Sequence, residues 1–191
     1  MRILGIDPGT VITGIGIIEI SGGKISLLHY DAVKLNSADS IHNRLKKIYD
    51  ICELKIKKFK PEELAVESTF YGKNIQSTLK LGQAKGVAII TALNNNMNVS
   101  EYTPREIKKS VTGSGSASKR MVMNIIKSIF SIKEDPEFYD SSDALAVALC
   151  HFYSIGSNYN KIKTGKNSKL NRRQKWSQYV KNNPRKILYS K

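Results

Sequence analysis

"RILGIDPGT" (residues 2–10) is the stretch on which the fold turns. Residues 2–6 are an apolar run of the kind that forms a buried strand, and the run stops on Asp7 before a Pro-Gly turn. An ionised carboxylate is costly to bury, so a strand ending on aspartate puts that charge in solvent or against a cation. Alone, Asp7 is equally well read as a turn residue.

The neighbouring segments supply a sheet for it. "TGIGIIEI" (13–20) alternates as a second strand until "SGG" breaks it, and "KISLLHYDAVKL" (24–35) completes an antiparallel meander. Between Ser40 and Phe59, Ile41, Leu45, Ile48, Cys52, Ile56 and Phe59 recur at spacings of three and four, the pattern of an amphipathic helix, which Pro61 closes. "ELAVES" (63–68) follows as a short buried strand whose last residues again include an acid, Glu67. Residues 75–93 read as a long helix in which Gly82 and Gly86, beside Ala84 and Ala88, allow close approach to the sheet or to a second copy. The sheet is the preferred neighbour.

"VSEY" (99–102) gives a fifth strand and "TPREIKKSVTG" (103–113) a capped helix; "GSGSAS" (113–118) is flexible by composition. Two further helices follow over 118–130 and 141–153, separated by the "EDPEF" loop. This order predicts an α/β domain over residues 1–155: a mixed five-stranded sheet with helices on both faces. A βαβ crossover makes the first and fourth strands parallel, so acids at the same end of each meet at one edge of the sheet.

The formal charge of +15 points to polyphosphate partners. Eleven of the cations and no acid lie in residues 156–191, leaving +4 on residues 1–155. That C-terminal segment interleaves Tyr159, Trp176, Tyr179 and Tyr189 among its charges, which suits phosphate pairing and base stacking; the alternative is a solvated, flexible tail that aids solubility. Cys52 and Cys150 lie on apolar stripes without zinc spacing, and His29, His42 and His151 form no ligand pattern. The absence of a membrane-length apolar run and of a signal-peptide pattern makes a cytoplasmic protein, free of the membrane, the expectation.

Asp7 and Glu67 end predicted strands, while Asp140 and Asp143 stand three apart on one face near the start of the last helix. The last two are also what a helix N-terminus favours by itself. If the four converge, their mutual repulsion calls for a hard, oxygen-seeking divalent cation, and phosphodiester chemistry suits such a site.

"GIDPGT" (5–10) with "TGIG" (13–16), "VES" (66–68) with Phe70, "LKLGQAKGVA" (79–88), "REIKKSVTGSGSASK" (105–119) and "DSSDALAVAL" (140–149) together resemble the RuvC family of Holliday-junction resolvases, across most of residues 1–153. The resemblance implies an RNase H-like fold and a magnesium-dependent endodeoxyribonuclease. Its ligands would be Asp7, Glu67, Asp140 and Asp143, with two Mg2+ ions per site during catalysis and Mn2+ as a substitute. It further implies catalytic roles for Lys108 and Lys119 near the scissile phosphate, whose residue-level alternative is ordinary solvated lysines. Phe70 or its neighbour Tyr71 would stack on bases, and Lys73 and Arg120 join these as DNA-binding candidates. Implied partners are four-way junction DNA, a second copy of the chain, and a branch-migration motor complex of the RuvA and RuvB type. Paired nicks would leave 5′-phosphate and 3′-hydroxyl ends in recombination and repair. Similar proteins usually end soon after the last core helix, so the family pattern gives the basic segment no role.

Other readings make different demands. A nuclease for structured RNA would depend on the 2′-hydroxyl. A small actin-like or sugar-kinase-like ATPase, suggested by the Asp7–Thr10 turn, would need a duplicated domain that no internal repeat supplies. A non-catalytic junction-binding protein would not need the four acids.

Overall fold

The computed structural model describes residues 1–68, 74–133 and 139–163, with side chains through Gly156. Strands β1 (Arg2–Asp7), β2 (Ile12–Ser21) and β3 (Lys24–Lys34) form the antiparallel meander, and β4 (Glu63–Glu67) and β5 (Asn98–Tyr102) add to it in the order β3-β2-β1-β4-β5. β1 pairs with β4 in parallel, as does β4 with β5. The mixed sheet expected from the sequence is present.

Alternation along the strands sorts side chains to two faces. Leu4, Ile6, Ile15, Ile17 and Leu64 face α1 (Ile41–Phe59) and α2 (Ile75–Asn94), where Ile48, Cys52, Ile56, Ala84, Ala88 and Ala92 complete one core. Ile3, Ile18 and Ala65 belong to a second core with α3 (Pro104–Thr112), α4 (Lys119–Phe130) and α5 (Tyr139–Lys163). Both cysteines are buried and unpaired.

The small residues of α2 divide between two surroundings. Ala84 and Ala88 pack into the core as expected, but a Cβ on Gly82 or Gly86 would meet nothing within 4 Å. The glycines therefore do not serve the approach to the sheet. On the same stripe Ile75, Leu79, Ile90 and Leu93 are exposed.

Local chemistry sets the helix ends. Ser40, Asn74, Thr103 and Ser118 cap α1 to α4, and at α3 Thr103 and Glu106 form a reciprocal capping box with Pro104 in the first turn. Lys60, Gly113 and Ser131 end α1, α3 and α4 in the left-handed conformation. The helix α5 starts at Tyr139, so Asp140 lies inside its first turn, and it continues past Tyr153 through Lys163. Met1–Ser154 forms one compact unit, and Ile155 begins a second.

Candidate active site

The site is set by where α5 can touch the sheet. Gly5 pairs with Gly16, and Asp7 with Gly14, across β1 and β2. All four lie on the α5 face by alternation. A Cβ on Gly5 would strike the Ala144 carbonyl, one on Gly14 the Asp140 carbonyl, and one on Gly16 would lie 2.8 Å from the Leu145 nitrogen. Three glycines thus form a trough into which the backbone of α5 settles, closer than any larger residue allows. Because Gly14 is the partner of Asp7, the first turn of α5 comes down beside that carboxylate and brings Asp140 and Asp143 with it.

Glu67 arrives by register. The parallel pairing of β1 and β4 runs to Ile6 and Val66, so Asp7 and Glu67 are the next residues along, at the same end and on the same face. The turn after Asp7 is held from two sides: Thr13 Oγ1 donates to the Gly9 carbonyl at 2.7 Å, and Arg44 Nη1 of α1 donates to the Thr10 carbonyl at 2.8 Å. Sequence reasoning passed over Arg44, which lies 34 residues from its acceptor and has no local signature.

The electrostatics report how close the acids are. Burial, followed by the charges of Glu67, Asp143 and Asp140, pushes the Asp7 carboxyl up from 3.8 to about 7, against a smaller lowering by Lys119. Burial and then Asp143 raise Glu67, which Lys119 and Lys108 partly offset. Lys119 Nζ makes an ion pair with Asp143 at 2.9 Å. Desolvation pushes the Lys119 ammonium down, but this bond and the charges of Asp143, Asp7 and Asp140 outweigh it and hold the group above its ordinary value.

Glu67, Lys108, Lys119 and Asp143 line a pocket of about 130 Å3, closed by Pro104, Ile107 and Val122. The structure thus brings together the four predicted acids and both predicted lysines. Among the described residues no three acids, histidines or cysteines are close enough to form a ready-made metal cage; the acids face one another, with Lys119 against one of them. Arg120 is exposed on α4 and does not line the pocket. Phe70, Tyr71 and Lys73 lie outside the described residues.

A mixed sheet in this order, with acids at the adjoining ends of its two central strands and on the helix across them, defines an RNase H-like fold. Residues 3–151 match the family model described as crossover junction endodeoxyribonuclease RuvC. The chain belongs to the RuvC family. It is 42% identical over 189 residues to the crossover junction endodeoxyribonuclease RuvC of Chloroherpeton thalassium, covering 98% of this chain and 100% of that one. It is 48% identical over 151 residues to the protein of the same description from Salinibacter ruber, covering 79% of this chain and 84% of that one. Among solved structures, Thermus thermophilus RuvC in complex with Holliday junction substrate superposes with a TM-score of 0.77 at 31% identity, over 83% of this chain and 96% of that one. The Chloroherpeton alignment runs far into residues 156–191, which corrects the expectation that similar proteins stop soon after the last core helix.

Proposed function

We propose that this chain resolves four-way DNA junctions by paired symmetric nicks, using a divalent metal and leaving 5′-phosphate and 3′-hydroxyl ends, in recombination and repair. The observation that carries the reading is the convergence of four carboxylates from β1, β4 and α5 beside Lys108 and Lys119, in a chain of this family.

The residues fit a hard divalent cation. Every candidate donor is a carboxylate oxygen, the donor type that Mg2+ and Mn2+ take. Asp7 is raised to about 7 by burial first and then by the charges of Glu67, Asp143 and Asp140, and Lys119 is the cation that partly offsets them. Asp7, Glu67, Asp140 and Asp143 would hold Mg2+, with two ions during turnover and Mn2+ able to substitute. When bound, the metal supplies Lewis acidity, making water a better nucleophile at neutral pH and neutralising charge on the phosphate. The chain's own part is placement and charge. The strand ends and the glycine trough hold the carboxylates in fixed geometry, and Lys108 and Lys119 set two ammonium groups where charge develops on the phosphate.

A homodimer belongs to the same reading. Ile75, Leu79, Ile90 and Leu93 are exposed along α2 with the open faces of Gly82 and Gly86 between them, an apolar stripe that a second copy of the helix would cover. A two-fold dimer matches a junction that is itself about two-fold symmetric. Phe70 or Tyr71 stacking on opened bases, phosphate contacts from Lys73 and Arg120, and a motor complex of the RuvA and RuvB type rest on family membership alone. The basic segment 156–191 adds salt-sensitive affinity, so deleting it lowers the salt dependence of binding. No described helix is long and apolar enough to cross a membrane, and the two free cysteines suit a reducing cytoplasm.

The test is substrate choice. Matched DNA four-way junctions, RNA four-way junctions and linear DNA duplexes are incubated with the full chain and magnesium. Cleavage confined to the DNA junction, at symmetric positions, is expected. Preferential cutting of the RNA junction, or equal cutting of the duplex, would contradict the proposal.

A further inference from the structure

On the other side of α3 from the catalytic pocket lies a second, larger cleft of about 640 Å3. Pro104, Ile107 and Lys108 line the pocket, whereas Arg105, Glu106 and Lys109 line the cleft, so one short helix forms a wall of both. The opposite wall of the cleft is the loop Gly113–Ser116. That loop leads directly into α4, whose first residue is Lys119.

The loop is braced internally. Gly113 takes φ +81°, a conformation that favours glycine, and donates its N–H to the Lys109 carbonyl at 2.9 Å. Ser114 N–H donates to Thr112 Oγ1 at 3.1 Å, and the Ser114 and Ser116 hydroxyls lie 3.0 Å apart. Gly115 permits the stem of Arg105 to lie against the loop, since a Cβ there would come within 2.6 Å of the Arg105 Cγ. Arg105 and Lys109 are both exposed and, among the described residues, neither has an acid or hydrogen-bond acceptor for its side chain. The one acid in the lining, Glu106, is committed to the helix cap: it accepts from the Thr103 N–H at 2.9 Å and from the Thr103 hydroxyl at 2.8 Å.

Two unpaired cations one helical turn apart, facing serine hydroxyls on a braced loop, form a surface suited to phosphate oxygens. The cleft is far larger than a single phosphate and shares its wall with the catalytic pocket, which favours a continuous phosphodiester backbone over a small free anion. We propose that this cleft is a second backbone subsite, in which Arg105, Lys109 and the Ser114–Ser116 loop hold phosphates of the DNA flanking the strand to be cut. The inference rests on the junction-cutting function proposed above.

The test is the salt dependence of binding, measured by fluorescence anisotropy with a labelled four-way junction and full-length protein in EDTA. Each lost phosphate contact lowers the slope of log K against log salt by about 0.9. The double variant Arg105→Ala/Lys109→Ala should therefore lose about 1.8 from the wild-type slope, with KM for the junction raised. A control variant, Lys24→Ala/Lys60→Ala, removes two exposed lysines at the end of the sheet opposite Asp7 and should keep the wild-type slope. A slope in the double variant equal to wild type, or matched by the control, would overturn the subsite while leaving the function standing. Wild-type protein that shows no salt-dependent junction binding would overturn both. A variant that melts below the wild type is replaced by Arg105→Gln/Lys109→Gln, which keeps the side-chain stems and carries the same expectation.

Discussion

Replacing Asp7 by asparagine separates the electrostatic strain of the site from its chemistry. Burial and three neighbouring acids raise this carboxyl from 3.8 to about 7. A folded-state pKa above the unfolded value means that the native chain holds the proton more tightly. The metal-free protein is therefore most stable, as far as this group is concerned, below about pH 4. It loses stability as pH rises from there and levels off above about pH 7. Proton linkage gives a total loss of about 4 kcal/mol, of which about 2.5 kcal/mol falls between pH 5 and pH 8. Asparagine does not titrate, so Asp7→Asn escapes this loss. Urea unfolding in EDTA at the two pH values should show the variant gaining about 2.5 kcal/mol on the wild type between them. Magnesium at pH 8 should close much of the gap by stabilising the wild type alone, since only the wild type relieves carboxylate repulsion by binding it. Parallel pH profiles for the two proteins would refute the claim that burial and the neighbouring acids raise Asp7.

Three further outcomes follow from the packing. Gly14→Ala drives a methyl group into the Asp140 carbonyl and should lift the first turn of α5, at about 1–3 kcal/mol of stability and with loss of junction cleavage in a still-folded protein; unchanged cleavage would sink the trough argument. Arg44→Ala removes the charged donor to the Thr10 carbonyl and should cost about 1.5–3 kcal/mol in urea unfolding, with kcat falling more than KM changes; wild-type kcat would show that the turn needs no brace. Leu79→Arg puts a charge into the apolar stripe of α2 and should give a monomer by sedimentation velocity, with paired nicks becoming single; an unaltered sedimentation coefficient matching a dimer would exclude that face.

Much of the architecture was legible because it rests on local pattern. The apolar run of residues 2–6, the alternation of 13–20 with the strand that completes the meander, and helical spacing in 40–59 place β1 to β3 and α1 close to where they occur. The acids were legible as positions, at strand ends and in the start of the last helix. What joins them was not. The approach of α5 depends on Gly5, Gly14 and Gly16 sharing one face, which becomes meaningful only once the register between β1 and β2 is known. Arg44 was invisible because its partner is a backbone carbonyl on another element, and any residue can supply a carbonyl. The outward face of Gly82 and Gly86 was misread for a related reason: small residues signal close approach without saying to what, and in this fold the alanines turn inward and the glycines outward. The end of α5 was placed too early because the apolar period stops near Tyr153, while the backbone continues as helix without it.

The central claim is that the acids around Asp7 work with a divalent metal to cut a four-way DNA junction. The most direct measurement is one time course on an end-labelled junction, with wild-type protein and Asp7→Asn side by side, each started by adding magnesium to a preformed complex in EDTA. The account predicts no product before magnesium, symmetric nicks that a DNA ligase can reseal from the wild type afterwards, and none from Asp7→Asn although it binds the junction as tightly. Nicks that appear in EDTA, or that persist at the wild-type rate in Asp7→Asn, would contradict it.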